Sequence, residues 1–331
     1  MNRESPDSYV EPSVDESVTK TKQLIAYIRS FPQPASSSNQ EPLVQPILTP
    51  RFAISCTDEL LSSLGSLSSS DPTLRIQTHI SENPKEIAYT KELFPDCPTY
   101  ASVYDKFHLL RHNTVLAHAV HLEYEEVKLV KERECGISHC PTSNFNISSG
   151  VAPIGAYLDR GIKVLSFIVF FGLRTDELRP HSQVGLGTDV SGGFSYSILN
   201  TIRDASIAAK VHALSFPAPP ATATFAGKPL PIATLLYLAT MGGAAVCDLE
   251  KQIGSLEPGK SFDALLIDVR NETGNPGLWG VSPEDLVGRS IEERRNLLDG
   301  WLERFLFCGD DRNIAKVFVQ GRLIGGSTFG R

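Results

Sequence analysis

The sequence predicts an α/β protein whose main part is an incomplete TIM-like (β/α) barrel, followed by a small β layer. Three observations predict it. Between residues 41 and 250, short apolar runs alternate five times with helical stretches, the pattern of a parallel sheet covered by helices. Polar residues suited to chemistry close one run after another, which favours a barrel, whose strands all end at one mouth. After Glu250 the alternation stops and strand-like runs of a separate layer follow.

Residues 1–40 are read as an N-terminal polar segment and a helix. The first 16 residues are polar and contain proline; Asp15-Glu-Ser17 then opens a helix with Val18, Leu24, Ile25 and Ile28 on one face. Pro32 to Asn39 reads as a connector. Residues 41–250 carry the partial barrel. Its predicted strands are Leu43–Leu48, Leu74–His79, Thr114–His118, Gly136–Cys140 and Val184–Asp189. Helices are expected at Thr57–Leu67, Pro84–Leu93, Glu123–Glu134, Ile154–Arg160 and Ser197–Leu214. A closed barrel of this type needs eight such units, so five are expected to leave two long apolar sheet edges. Residues 251–331 are read as the β layer with a flanking helix, its strands at Asp263–Asp268 and Lys316–Gln320 and a turn at Gly321-Arg322.

A chain of 331 residues holds one large barrel or two average domains, and 41% apolar against 21% charged residues excludes global disorder. A net charge of −7 without a basic cluster argues against nucleic acid as a partner. The six cysteines include no Cys-x-x-Cys pair and read as reduced thiols of a cytoplasmic protein. Met1-Asn-Arg-Glu-Ser-Pro has no apolar stretch behind it, so no signal peptide is expected. The longest apolar run, Val164–Phe171, falls far short of the ~20 residues of a membrane span.

The polar groups at the strand ends are Arg51, His79 with Glu82, His118, His139 and Asp189. Each alone has a plainer reading: His139 as a hydrogen-bonded core residue, Arg51 and His118 as ordinary structural residues, Asp189 as a helix cap. Together they place one such residue on strand after strand. His79 and Asp189 are natural zinc ligands, and Glu82 stands where a carboxylate could move protons. A catalytic zinc needs three protein ligands and an open water position, so two fall short. None of the histidines at 79, 108, 112, 118, 121, 139, 181 and 212 forms a His-x-His pair. His118-Ala-Val-His121 has the wrong spacing for a strand, and His108 to His112 reads as a solvated helix end.

Pro50-Arg51-Phe52, His79-Ile-Ser-Glu-Asn83, Ser102-Val-Tyr-Asp-Lys106, Ala117-His118, His139-Cys-Pro-Thr-Ser-Asn144 and Gly185-Leu-Gly-Thr-Asp-Val-Ser-Gly-Gly193 follow in order. Gly254-Ser-Leu-Glu-Pro-Gly-Lys260-Ser-Phe-Asp263 and Gly309-Asp-Asp-Arg-Asn-Ile314 come later. From about residue 9 to 325 the chain resembles the guanine deaminases of the amidohydrolase superfamily. The resemblance implies a zinc-dependent attack of water on guanine, giving xanthine and ammonia, by a cytoplasmic and homodimeric enzyme. It implies zinc ligands His79 and Asp189 and a substrate site of Arg51, Phe52, His79, Ile80, Ser81, Glu82 and Asp189. Glu82, Asp189 and His118 would be catalytic, Glu82 moving protons and His118 hydrogen-bonding the attacking oxygen.

The family's His-x-His strand, its first three barrel strands and the N-terminal part of its β layer are not in this sequence, so a late gene start or a fragment is expected. Weak zinc binding and impaired activity follow as expectations. Family members also run directly from Lys163 to Val184, which makes residues 164–183 a 20-residue insertion, either a retained intron or a surface loop. Two further readings stand beside the deaminase: an aminohydrolase acting on an adenosine-like or triazine substrate, and an inactive isoform acting by association.

Overall fold

The computed structural model describes residues 1–31, 42–162, 183–216 and 221–329. The expected connector at 32–39 and all but Gln183 of the expected insertion lie outside the described residues. The chain divides into two compact units, Met1–Glu250 and Lys251–Arg331.

The first unit begins with α1 (Val14–Arg29), where the Ser13 side chain accepts from the Glu16 N–H and caps the helix. Ile25 is buried, but Leu24, expected on the same face, is 57% exposed. The strand–helix alternation follows: β1 (Ile47–Leu48), α2 (Asp58–Ser70), β2 (Arg75–Ile80), α3 (Pro84–Leu93), α4 (Tyr100–Lys106) and β3 (Thr114–His118). Next come α5 (Tyr124–Glu132), β4 (Gly136–His139), α6 (Pro141–Asn146), α7 (Ile154–Asp159), β5 (Val184–Leu186) and α8 (Ile198–Leu214). The helix end expected around His108 lies earlier, at Lys106.

The five strands form one parallel sheet in the order β1-β2-β3-β4-β5, each beside its sequence neighbour. Its outer strands are not the long edges expected, because β1 has two residues and β5 three. Ile76, Thr78 and Ile80 of β2 and Thr114, Leu116 and His118 of β3 are buried, while alternate residues are more open. The carboxylate of Asp159 at the end of α7 accepts from the N–H groups of Thr224, Phe225 and Ala226, tying down the chain beyond α8.

That chain returns as α9 (Ile232–Tyr237), a π-helical turn (Leu238–Gly242) and α10 (Gly243–Val246). It meets the sheet backbone to backbone. A Cβ on Gly185 would lie 2.8 Å from Gly243 Cα, one on Gly242 2.4 Å from Val184 O, and one on Gly136 2.9 Å from Val246 Cα. Glycine is required on both sides because no methyl fits between them.

The second unit holds β6 (Ala264–Ile267), α11 (Ile291–Cys308), β7 (Ile314–Val319) and β8 (Arg322–Gly325). Its strands form an antiparallel sheet in the order β6-β7-β8. The turn between β7 and β8 has positive φ at Gln320 (48°) and Gly321 (76°), the mirror-image turn that suits a two-residue hairpin. Buried Asn313 donates to Asp268 O and accepts from Asn275, joining the loops around β7. Both tryptophans, Trp279 and Trp301, belong to this unit, and all nine tyrosines belong to the first. Trp279 is 71% exposed, whereas Tyr100, Tyr104 and Tyr157 are fully buried.

All six cysteines are free. Among the described residues no helix is long and apolar enough to cross a membrane.

These glycine contacts carry a prediction. Gly185→Ala should destabilise the first unit by about 1–3 kcal/mol, the cost of overpacking a site with no room to give. Gly300→Ala, inside α11 with nothing within 4 Å of the added methyl, should instead stabilise by about 0.5–1 kcal/mol. Urea midpoints of both variants against the parent check the pair; equal midpoints for Gly185→Ala would contradict the close approach.

Candidate active site

The sheet brings its strand ends to one mouth, and the side chains there hold one another. Arg51 follows β1, with its guanidinium 5.3 Å over the Phe52 ring. The Phe52 ring stacks on His79 of β2, centroids 4.1 Å apart, and His79 in turn stacks on His118 at 5.1 Å. The Arg51 carbonyl accepts from the His79 backbone N–H (3.1 Å) and from its Nδ1 (2.7 Å). With the proton on Nδ1, the Nε2 lone pair of His79 is available to a ligand.

His118 ends β3. It lies beside Ile80 in register with β2, so regular pleating would point its ring to the opposite face from His79. The backbone departs from the strand at His118, with φ of 71°, and the two rings come together. Asp189, past the end of β5, is also left-handed, with φ of 44°. Its Oδ2 accepts from Ser143 Oγ at 2.6 Å and lies 3.9 Å from His118 Nε2.

Ligand atoms of His79, His118 and Asp189 all lie within 4.8 Å of one another, a group able to hold a metal ion. His118 Nε2 is buried and has no hydrogen-bond partner among the described residues. Two imidazoles, one of them with an orphaned buried nitrogen, and one carboxylate fit a divalent metal. Sequence spacing counted two donors, His79 and Asp189; the left-handed turn at His118 adds a third.

Glu82 lies beside this group, buried, with Oε1 3.5 Å from His118 Nδ1 and accepting from Ser149 Oγ at 3.2 Å. Its place is fixed from behind. The Glu82 and Asn83 N–H groups both donate to Glu86 Oε2, and Tyr100 OH donates to Glu86 Oε1 at 2.5 Å. Ser81 is buried with φ of 47°, and its carbonyl accepts from His121 N. Ile80 is fully buried in the core face of β2. His139 at the end of β4 lies outside the donor group, its ring lining a narrow cavity with Ala152, Ile154, Ala205 and Phe225.

Burial pulls the His79 imidazole down to about 4, with the neighbouring His118 adding to the effect. Burial likewise pulls His139 down to about 3. Both rings are therefore neutral at physiological pH, the form in which a histidine binds a metal.

Sequence reasoning missed the residues that steady the site: Ser143, Asn144, Ser149 and the pair Thr78–Tyr104. Thr78 Oγ1 donates to Tyr104 OH, which donates to the His79 carbonyl at 2.8 Å. The run His139–Asn144 was visible, but nothing in it separates a supporting hydroxyl or amide from any other.

The acid behaviour of His139 gives a prediction. The unfolded chain takes up this proton near 6.5, while the fold refuses it until about 3. Its contribution to stability is complete above 6.5 and is lost as pH falls between those values. His139→Leu should therefore flatten the acid loss of stability by up to ~1.4 kcal/mol per pH unit in that interval. Urea titrations at several pH values check it; parallel pH profiles would count against a buried neutral His139.

The model of the amidohydrolase family matches residues 6–324. A probable guanine deaminase of Schizosaccharomyces pombe is 43% identical over 332 residues, which cover 98% of this chain and 53% of that protein. The guanine deaminase of Dictyostelium discoideum is 38% identical, covering 98% and 60%. Among solved structures, guanine deaminase from C. acetobutylicum with guanine in its active site superposes with a TM-score of 0.75 at 33% identity, over 98% of this chain and 64% of that one. The chain thus spans between about half and two thirds of the length of these relatives.

Proposed function

This chain belongs to the amidohydrolase family, and on that premise we propose that it carries the catalytic part of a zinc-dependent guanine deaminase, hydrolysing guanine to xanthine and ammonia. The observation that carries the reading is the group His79, His118 and Asp189 with buried Glu82 at its side. His79 and Asp189 hold the metal, with His118 Nε2 as the third donor within reach. When bound, zinc supplies a water acidified towards neutral pH and polarises the carbon that this water attacks.

The remaining work falls to the chain's own groups. Asp189 is tethered through Oδ2 by Ser143, which leaves Oδ1 to take the proton of the attacking water. Glu82 gives its proton to the ring nitrogen beside the attacked carbon, takes up the proton that Asp189 removed from the water and passes it to the departing amine. The proton of the newly formed hydroxyl returns to Glu82 as the carbonyl forms. Its approach from the Ser149 side, 3.5 Å from His118 Nδ1, keeps it at the edge of the donor group. The Arg51 guanidinium, beside Phe52 at the open rim, donates to the purine carbonyl. Phe52 holds His79 by stacking and flanks the base. Ser81 lines the floor through its buried hydroxyl. A cytoplasmic location and a homodimer belong to the same reading.

Zinc titration of the chelator-treated chain should show binding that His118→Ala weakens by more than the ~10–100-fold of an outer partner. Unchanged affinity would remove His118 from the ligand set. In the zinc-loaded chain, Glu82→Gln should leave the metal bound and slow ammonia release from guanine ~10²–10⁴-fold. Arg51→Ala should raise KM by the equivalent of about 1–3 kcal/mol with a smaller change in kcat. A zinc-loaded chain releasing no ammonia from guanine, but releasing it from another aminated ring, would replace the substrate and keep the chemistry.

A further inference from the structure

Of the residues of α6 only Ser143 has entered the reaction as described above, as the tether of Asp189, yet three consecutive side chains of this short helix reach for other elements. Thr142, Ser143 and Asn144 are all buried, and each makes one side-chain hydrogen bond away from the helix. Thr142 Oγ1 donates to Asp204 of α8, Ser143 Oγ to Asp189 Oδ2 at 2.6 Å, and Asn144 Oδ1 pairs with His118 Nδ1 at 2.8 Å.

Asn144 is the informative one. Its Nδ2 is buried without a hydrogen-bond partner, so the amide is used only as an acceptor. A buried amide with an unpaired nitrogen is a poor choice for stability alone. The second group facing His118 Nδ1 is Glu82 Oε1 at 3.5 Å, also an acceptor. Two acceptors around one nitrogen favour a proton there, which places the lone pair of His118 on Nε2, facing Asp189.

We infer that α6 is a positioning helix: Asn144 fixes the tautomer and direction of His118, and Ser143 fixes the Asp189 carboxylate, so that both face the donor group ready for a metal. The inference rests on the zinc site proposed above. Neither residue touches substrate. Thr142, bound to Asp204, holds the short helix against α8 so that both contacts keep their register.

The test reads the tautomer first and the metal second. In metal-free protein with 15N-labelled histidine, two-bond correlation spectra identify which His118 nitrogen carries the proton. The parent should show it on Nδ1. Asn144→Leu, which leaves no acceptor at 2.8 Å, should shift the population towards Nε2–H and weaken zinc about 10–100-fold, the effect of losing an outer partner of a metal ligand. Asn144→Asp keeps the acceptor and should restore both the Nδ1–H signal and zinc affinity to within a few-fold of the parent. Ser143→Ala should weaken zinc about tenfold and leave the His118 tautomer unchanged.

A parent protein with the proton on Nε2 would overturn the inference, since Asn144 would then donate. So would Asn144→Leu with unaltered tautomer and affinity, which would hand the role to Glu82. If Asn144→Leu fails to fold, the Asn144→Asp rescue and the Ser143→Ala affinity still decide. If the parent binds no zinc, the proposed metal site falls, while the tautomer comparison continues to judge Asn144.

Discussion

Everything at the mouth of the sheet depends on breaking the strict alternation of a β-strand at the residue where the strand ends. Parallel pairing sets Ile80 against His118 and His79 against Ala117, which would send the two imidazoles to opposite faces. A left-handed backbone at His118 turns its ring to the side of His79. Left-handed conformations at Ser81 and Asp189 complete the mouth. Such positions cost of order 1–3 kcal/mol each in a residue with a side chain, and they persist where the surroundings over-determine them. Glycine would remove the strain at these three positions, but it would also remove the side chains for which the turns exist.

The surroundings do over-determine them. Behind β2, Tyr104 bonds both Thr78 and the His79 carbonyl, and Tyr100 and two backbone N–H groups converge on Glu86. Burial pushes the Glu86 carboxyl up against the pull of these donors, so it is placed for its hydrogen bonds. Beside β3, the Ala119 N–H donates to Ile80 O and the Tyr157 hydroxyl to Ala119 O. On the far side, backbone contact between β5 and the turn at Gly242 and Gly243 fixes the height from which Asp189 projects. The site is thus held from three directions.

Much of this was legible in the sequence. Each of the five strands expected between Leu43 and Asp189 overlaps a strand of the sheet, because short aliphatic and β-branched runs bounded by polar residues suit a buried parallel sheet. The helix expected at Pro84–Leu93 forms over those residues, opened by a capping box between Asn83 and Glu86. What escaped notice was short or depended on conformation. Helices α4, α6, α9 and α10 have seven residues or fewer, too few to display a period. Strand β8 carries Leu323 and Ile324 in the open and lacks alternation between faces. His118 was recognised as a site residue but not as a donor beside His79, since no spacing rule encodes a positive φ. Ser143 and Asn144 escaped as individuals because an amide or hydroxyl becomes specific only when its partner is in place.

The division of aromatic residues between the two units has an optical consequence. With every tyrosine in Met1–Glu250 and both indoles in Lys251–Arg331, one polypeptide carries two chromophore classes that do not overlap in position. Red-edge excitation selects the second unit alone, while the near-ultraviolet dichroism of the packed Tyr100–Tyr104 pair reports the first. Light absorbed by phenol and emitted by indole has to cross from one unit to the other. The emission ratio is therefore an intrinsic ruler of their approach, available in the unmodified chain without a single added dye.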